Sequence, residues 1–295
     1  MDIKQLKFLV ALDETRHFGQ AAARCHITQP TLSMRLRNLE EELGLELVQR
    51  GQRFEGFTEA GQRVLAWART LLAAHDGLQA EAAACRGQLV GTLRLGLVPL
   101  AGYDPMGLIR AFAERHPNLR FQLFALSSEQ ILERLASNQL DLGLCYLDRL
   151  DREHFEYLEI ADTRMGLLHD RRHFPFNDAA LTWEQLATLP LGLLSGSMHF
   201  RQSIDHGFRS RGLTPRPRLE TDAVHQLLQA VSAGLCCAIM PLASGLDALA
   251  EHLALTPIEQ ANTLAPFGLI QRRGLPRSTL ADTCFSEARD LLASA

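Results

Sequence analysis

A row of leucines follows a capping threonine near the N-terminus, and this arrangement permits few folds. The stretch "TQPTLSMRLRNLE" begins with Thr28, a good N-cap, and places Pro30 in the first turn, where no backbone donor is missed. Three leucines then fall within one narrow sector of a helical wheel: Leu32, Leu36 and Leu39. The pattern predicts a helix over residues 29–42 whose leucine face lies in a core.

The opposite face of this helix is poor material for a core. Its residues are Pro30, Ser33, Met34 and Arg37, with Thr31 at the flank, Gln29 at the N-terminal tip and Arg35 at the edge of the core-facing sector. Serine and threonine can bond base edges or phosphates, arginine can bind guanine, and methionine can meet a thymine methyl group. The face therefore favours a DNA major groove, with a solvated surface as the other interpretation. An acidic run begins at the end of this helix and continues beyond it: Glu40, Glu41, Glu42 and Glu46.

Two shorter helices are predicted before this one, over residues 3–14 and 19–26, and the three would form a compact trio. Residues 47–58 then give two short extended segments, which predict a two-stranded wing. Arg50 and Arg53 lie on this hairpin, where phosphate contacts would fix register without reading sequence. Because the net charge is −4 and the pI is near 6.3, any DNA contact has to be local.

A long helix is predicted over residues 59–86, with Thr58 as its cap and no interrupting proline. Its apolar face follows alternating steps of four and three: Val64, Ala68, Leu71, His75, Leu78, Ala82 and Cys85. Such spacing builds a seam for a partner helix. We therefore expect this helix to join two copies of the chain.

Beyond Gly87 and Gly91 the pattern changes to alternating strands and helices, which is typical of an α/β domain. The strand candidates are residues 92–99, 120–126, 140–147, 164–170, 190–196, 235–241 and 266–273. No apolar run approaches the roughly 18 residues that span a bilayer, and charges interrupt residues 1–18, where a signal peptide would be apolar. We expect a cytoplasmic protein.

Several N-terminal motifs resemble the winged helix-turn-helix of LysR-type transcriptional regulators. They are Phe18, Ala21-Ala22, "TQPTLS", "LEEELGLELVQR" and "TEAG". Two later segments, "GTLRLGLVP" and "VSAGLCCAIMPLA", are similar to strand-forming parts of the family's effector domain. The resemblance implies a multidomain α+β and α/β chain. Its parts are a winged helix-turn-helix over 1–58, a linker and dimerisation helix over 59–87 and a periplasmic-binding-protein-like effector domain over 88–295.

The implied effector domain has two lobes, lobe I over 88–161 and 266–295 and lobe II over 162–265. The resemblance also implies a sequence-specific transcriptional regulator rather than an enzyme. It would act as a homodimer or dimer of dimers on double-stranded DNA with a pseudo-palindromic operator, and on RNA polymerase if it activates. The residues alone leave open an α/β enzyme or solute receptor with an appended helical interaction module.

By family position, the effector cleft lies between the lobes, at strand ends and at the starts of the helices that follow. The candidate residues are Pro99, Leu100, Ser127, Ser128, Tyr146, Ser197, His199, Arg201, Asp222 and His225. Ser197, His199 and Arg201 could hold a carboxylate, so we expect a small anionic effector. Ordinary helix capping and surface solvation are the other interpretation of each residue.

The cysteines and histidines add little chemistry. A branch of the family senses peroxide through cysteines in the segment matching residues 195–210, and this segment has none. Adjacent cysteines bridge only with strained geometry, so Cys236 and Cys237 are interpreted as packing residues. His169 and His173 follow a strand and precede a proline, which disfavours a metal site on a helix. We expect no metal and no cofactor.

Overall fold

The computed structural model describes residues 1–50, 54–86, 89–100, 102–148, 150–161, 163–176, 180–196, 198–244, 250–274 and 278–293. The chain folds as two compact units. The first is built mainly from Met1–Gly91, and the second from most of the remaining chain. Among the described residues, no helix is long and apolar enough to cross a membrane.

The first unit begins with three capped helices, α1 (Ile3–Thr15), α2 (Phe18–Arg24) and α3 (Gln29–Leu43). Thr28 caps α3 as predicted, because its hydroxyl accepts from the Thr31 amide, and the three leucines of α3 lie in the core of the trio. Helix α2 starts one residue earlier than predicted. The His17 ring Nδ1 accepts hydrogen bonds from the amides of the first turn. It ends two residues earlier, and His26 then takes a left-handed backbone conformation (φ 56°).

The predicted wing is a hairpin of two antiparallel strands, β1 (Val48–Arg50) and β2 (Phe54–Phe57), with an irregular register between Gln49 and Arg50. Glu40 holds this hairpin to α3. Its carboxylate is buried and accepts hydrogen bonds from the amides of Leu47 (2.9 Å) and Val48 (3.1 Å). One member of the predicted acidic run is thus part of the core rather than of the surface.

The long helix α4 spans Glu59–Ala84, and the Thr58 hydroxyl caps it by accepting from the Gly61 amide (2.9 Å). Its first turns pack on the helical trio through Leu65 and Ala68, which are buried in the same core. Asp13 of α1 pairs with Arg69 of α4 and fixes the two helices together.

The predicted seam of α4 therefore divides into two parts with different surroundings. Val64 and Ala68 pack against the trio of the same chain. Leu71 and Leu78 are exposed by 44% and 69%, and Trp67, which the seam pattern omits, is exposed by 71%.

The second unit contains two five-stranded sheets, and we call the part around each sheet a lobe. Lobe I has the strand order β4-β3-β5-β12-β6. These strands are β3 (Gly91–Leu97), β4 (Leu119–Ala125), β5 (Leu142–Tyr146), β6 (Phe155–Ala161) and β12 (Phe267–Arg272). Its helices are α5 (Pro105–Arg115), α6 (Ser128–Ala136) and α10 (Thr279–Ala293). Strands β3 and β5 run parallel, so both end at the same edge of the sheet.

Lobe II has the strand order β11-β7-β10-β8-β9. These strands are β7 (Arg164–Asp170), β8 (Leu191–Leu194), β9 (Leu219–Thr221), β10 (Cys237–Pro241) and β11 (Leu253–Asn262). Its helices are α7 (Trp183–Ala187), α8 (His199–Arg209) and α9 (Val224–Ser232). Two apolar clusters contain residues of this sheet, one with α7 and α8 and the other with α9. The central strands are consequently buried on both faces, which explains their continuous apolar sequence.

Candidate DNA-binding surface and effector cavity

The exposed side of α3 carries the residues expected to meet DNA. Gln29, Pro30, Arg37 and Met34 are exposed, and Met34 keeps 54% of its surface although it is a large apolar side chain. An exposed methionine and an exposed arginine on one helix face suit base-edge contact, because an apolar group can meet a thymine methyl and a guanidinium can bind guanine.

Two further residues of this surface already have partners within the chain. The Thr31 hydroxyl lies 2.8 Å from the Thr28 hydroxyl and so belongs to the cap of α3, while Ser33 is half-buried beside it. Arg35 points toward α1, where its guanidinium pairs with Asp2 at 3.7 Å. Arg35 is thus placed for a structural contact, in agreement with its position at the edge of the core-facing sector.

Of the two arginines predicted to contact DNA from the wing, Arg53 and the side chain of Arg50 lie outside the described residues. Arg16 is stacked over the wing instead, with its guanidinium carbon 5.9 Å from the Phe54 ring centroid and 6.0 Å from that of Phe57. The contact packs the turn after α1 against the hairpin.

The second unit holds a cavity of about 570 Å³ at the strand ends of lobe I, and the start of α8 from lobe II forms its other wall. The described lining residues include the following: Val98, Pro99, Ala125, Ser127, Ser128, Glu129, Glu133, Tyr146, Asp148, Met198, His199, Phe200 and Gln202. Since β3 and β5 are parallel, their carboxyl ends bring Pro99 and Tyr146 to one edge, where α6 begins as well. A cavity at such an edge is a common ligand site in α/β folds.

Five of the predicted effector residues line this cavity: Pro99, Ser127, Ser128, Tyr146 and His199. Leu100 instead packs against the apolar clusters of lobe II. Asp222 and His225 are exposed and do not line the cavity, and Ser197 lies outside the described residues. Half of the predicted effector residues therefore meet at one cavity, whereas Leu100, Asp222 and His225 lie away from its lining.

A stacked ring pair connects the lobes across the cavity. The rings of Tyr146 and His199 lie 4.0 Å apart at 15°, and the Nε2 of His199 lies 3.2 Å from a carboxylate oxygen of Asp148. Tyr146 is only 1% exposed, and neither its hydroxyl nor the Nδ1 of His199 has a hydrogen-bond partner among the described residues. Burial, followed by the charge of Asp148, raises the pKa of Tyr146, so the hydroxyl stays protonated at neutral pH.

The two serines at the start of α6 differ in function. Ser127 caps the helix, because its hydroxyl accepts from the Gln130 amide (3.3 Å) and its own amide donates to the Gln130 side chain (3.0 Å). The Ser128 hydroxyl is buried beside the thiol of Cys145, which is a weak hydrogen-bonding group. Ser128 is therefore better placed than Ser127 to accept a ligand contact.

Arg201, one of the predicted effector residues, is bound by other residues of lobe II. Its guanidinium donates to Asp205 (2.7 Å), to Glu220 (2.6 Å) and to the carbonyl of Leu194 (2.6 Å), and it does not line the cavity. These contacts do not favour the anion-binding role expected for Arg201, because two carboxylates already pair with its guanidinium. Its observed role is to tie the start of α8 to β8 and β9.

Comparison with known families decides what these two units are. The model described as "LysR substrate binding domain" matches residues 86–293, and that described as "Bacterial regulatory helix-turn-helix protein, lysR family" matches residues 3–62. The chain belongs to the LysR family. It is a DNA-binding transcriptional regulator with an effector-binding domain, and the family consists of regulators rather than enzymes.

Relatives of this LysR-family regulator match most of its length. The hydrogen peroxide-inducible genes activator of Haemophilus influenzae is 32% identical over 214 residues, covering 72% of this chain and 68% of the relative. The DNA-binding transcriptional dual regulator OxyR of Escherichia coli strain K12 is 29% identical over 288 residues, covering 94% and 91%.

Solved structures show the same fold from end to end. The crystal structure of CbnR, a LysR family transcriptional regulator, superposes with a TM-score of 0.76 at 23% identity and covers 99% of both chains. Full-length CbnR complexed with its target DNA gives a TM-score of 0.74 at 22% identity, covering 99% of this chain and 100% of that one.

Four of the six thiols of this LysR-family chain are buried and poorly suited to peroxide chemistry. Burial raises the pKa of Cys145, Cys237 and Cys284 to about 12, and it raises the pKa of Cys236 as well. Because the thiolate is the reactive form, these four side chains are unreactive at neutral pH. Cys236 and Cys237 belong to the two apolar clusters of lobe II and are free thiols, as the packing interpretation predicts.

The two histidines of "HDRRH" have separate partners. His169 is buried and its Nε2 lies 2.9 Å from the Thr256 hydroxyl, whereas His173 lies 3.1 Å from the carboxylate of Asp170. Within the described part of the chain, no group of three or more His, Cys, Asp or Glu side chains is arranged to hold a metal ion.

Sequence reasoning missed the acidic residues of the cavity, Glu129, Glu133 and Asp148. The sequence did contain a pattern that could have identified Asp148. It stands two residues after Tyr146, and alternation along a strand would place both on one face. Glu129 and Glu133 lie four residues apart on α6, on the helical face that also carries Gln130.

Proposed function

We propose that this regulator acts in the cytoplasm as a homodimer or dimer of dimers on a pseudo-palindromic operator, and that a small molecule in the lobe cavity controls its output. The wall of the cavity supports the proposal that a small molecule binds there. Tyr146 brings a fully buried hydroxyl with no partner to a cavity that also meets the start of α8. A buried polar group without a partner costs free energy, which a bound ligand would remove.

The DNA part rests on the exposed face of α3. Arg37 and Met34 stand free of the trio core, on the face that would enter a major groove, while Arg50 and Arg53 of the wing are proposed to contact phosphates. The proposed dimer forms through the exposed side of α4. There Trp67, Leu71 and Leu78 are exposed with spacings of four and seven residues, so they lie along one side of the helix.

The test measures affinity for the DNA upstream of the regulator's own gene and for random DNA over a range of salt concentrations. Arg37→Ala should weaken binding to the specific site by about 1–3 kcal/mol and spare random DNA, because a base contact discriminates. Arg53→Ala should weaken both and flatten the salt dependence, because phosphate contacts release counterions. Equal losses of Arg37→Ala on both DNAs would remove its base-reading role.

The effector part is tested by filling the cavity. Ser128→Trp places a large side chain at the start of α6 and should abolish ligand-dependent changes in the DNA footprint while operator binding persists. Glu114→Trp, on exposed α5, is the matched control, since Glu114 does not line the cavity. The LysR family match disfavours the different possibility of an α/β enzyme or solute receptor.

A further inference from the structure

The proton on the His199 ring indicates what kind of ligand the cavity accepts. The Nε2 atom faces the carboxylate of Asp148 at 3.2 Å. A carboxylate only accepts, so Nε2 carries a proton in both the neutral and the charged ring. In the neutral ring Nδ1 is then a bare acceptor, and it is buried with no partner. The stacked pair therefore has an acceptor on His199 and a hydroxyl on Tyr146 that find no partner among the described residues.

The charges around the cavity also favour a ligand that donates hydrogen bonds. Among the described lining residues, the ionisable side chains other than Tyr146 are the three carboxylates Glu129, Glu133 and Asp148 and the single imidazole of His199. The nearby guanidinium of Arg201 is held by Asp205 and Glu220 outside the lining. A carboxylate ligand in the place of the His199 ring would thus meet the like charge of Asp148, whereas a hydrogen-bond donor would find an acceptor there.

The stacking of the His199 ring on the Tyr146 ring indicates the shape of the ligand. The imidazole of His199 is a flat ring with N–H donors, it lies parallel to the Tyr146 ring, and it donates to Asp148. It therefore occupies the position that a flat, hydrogen-bond-donating ligand would take on the same two residues. Moving His199 aside would expose its Nδ1 to water and free the face of the Tyr146 ring for the ligand.

We propose that the effector is an uncharged or cationic planar molecule with N–H or O–H donors, which replaces the His199 ring against Tyr146 and Asp148. This inference rests on the proposed function, since it describes the ligand of the same cavity. It reverses the charge expected from sequence, because Arg201, the one guanidinium among the expected donors Ser197, His199 and Arg201, is engaged by Asp205 and Glu220.

Three flat probes of equal size separate charge from shape: benzamidinium, benzamide and benzoate. Their dissociation constants for the full-length protein are measured by ligand-observed NMR at pH 7. We expect benzamidinium to bind at least tenfold more tightly than benzoate, with benzamide between them. Asp148→Asn should remove the preference for benzamidinium over benzamide, and the matched control Asp151→Asn, at an exposed position outside the lining, should keep it.

A second arm uses the imidazole ring itself as a probe. His199→Ala vacates the space on Tyr146, so free imidazole should bind this variant at least tenfold more tightly than it binds the wild-type protein. Equal weak binding to both proteins contradicts the displacement step. The wild-type probe series needs no variant, so it decides the charge preference even if His199→Ala fails to fold.

The outcomes separate this inference from the proposed function. Benzoate binding as tightly as benzamide, or no binding by any probe, overturns the ligand class. If benzoate binds best and Ser128→Trp abolishes that binding, the cavity remains an effector site and only the proposed chemistry fails. If all three probes bind with affinities that Ser128→Trp leaves unchanged, the cavity is not their site and both proposals fail.

Discussion

Glu40→Ala should loosen the wing from the recognition helix. The Glu40 carboxylate accepts hydrogen bonds from the buried amides of Leu47 and Val48, and alanine would leave both donors without a partner. A buried donor that loses its partner costs about 1–3 kcal/mol, so two such donors cost about 2–6 kcal/mol. Glu40→Gln keeps an oxygen at the same position and loses only the charge, for which we expect about 1 kcal/mol.

Hydrogen exchange followed by mass spectrometry on the full-length protein measures this directly at residues 44–50. Since about 1.4 kcal/mol corresponds to a tenfold change, protection of this segment should fall at least about 30-fold in Glu40→Ala and about fivefold in Glu40→Gln. Glu41→Ala, one residue along on the exposed side, should leave protection unchanged. Equal losses in the alanine and glutamine variants, or a loss below threefold in Glu40→Ala, would refute the view that this carboxylate holds the wing.

Three further predictions concern assembly, thiols and acid stability. Leu71→Asp should yield folded monomers in light scattering with reduced operator affinity, whereas Ala68→Asp should lower the melting temperature because Ala68 lies in the trio core; an intact Leu71→Asp dimer would contradict the seam. Iodoacetamide at pH 8 should label exposed Cys85 and leave Cys145, whose pKa is about 12, unlabelled by mass spectrometry; labelling of both would contradict the burial. Hydrogen bonds from Arg172 hold the pKa of Asp170 well below its usual range, so wild type should exceed Asp170→Asn in unfolding free energy at pH 7. This difference in unfolding free energy should shrink as the pH falls from about 4, the pKa of Asp170 in the unfolded chain, toward its lower pKa in the folded protein. A difference that does not change with pH would exclude this linkage.

Features set by neighbouring residues could be predicted from the sequence. The cap at Thr28, the leucine face of α3 and the cap at Thr58 depend on residues within one or two turns, and the structure confirms each of them. The buried strands β5 and β10 were also visible, because strands covered on both faces are continuously apolar.

Features set by distant partners could not be predicted in the same way. Arg201 was interpreted from residues 195–202, but one of its carboxylates comes from Glu220, which is far along the chain and is brought close by the pairing of β8 with β9. Strands β6, β9 and β11 were missed as well. β9 has three residues, and β6 and β11 lie at sheet edges, where one-sided exposure weakens the apolar pattern.

The sequence suggests a domain boundary at residue 58, but the packing of α4 shows that the core of the helical trio includes the first turns of this helix. Leu65 and Ala68 complete the core of the trio, and Arg69 pairs with Asp13. A DNA-reading head cut at residue 58 would lose part of its own interior. In a chimeric regulator, this head has to be exchanged together with the first turns of its linker helix, and the graft point belongs after residue 72, because Leu72 is the last side chain of α4 that packs against the trio core.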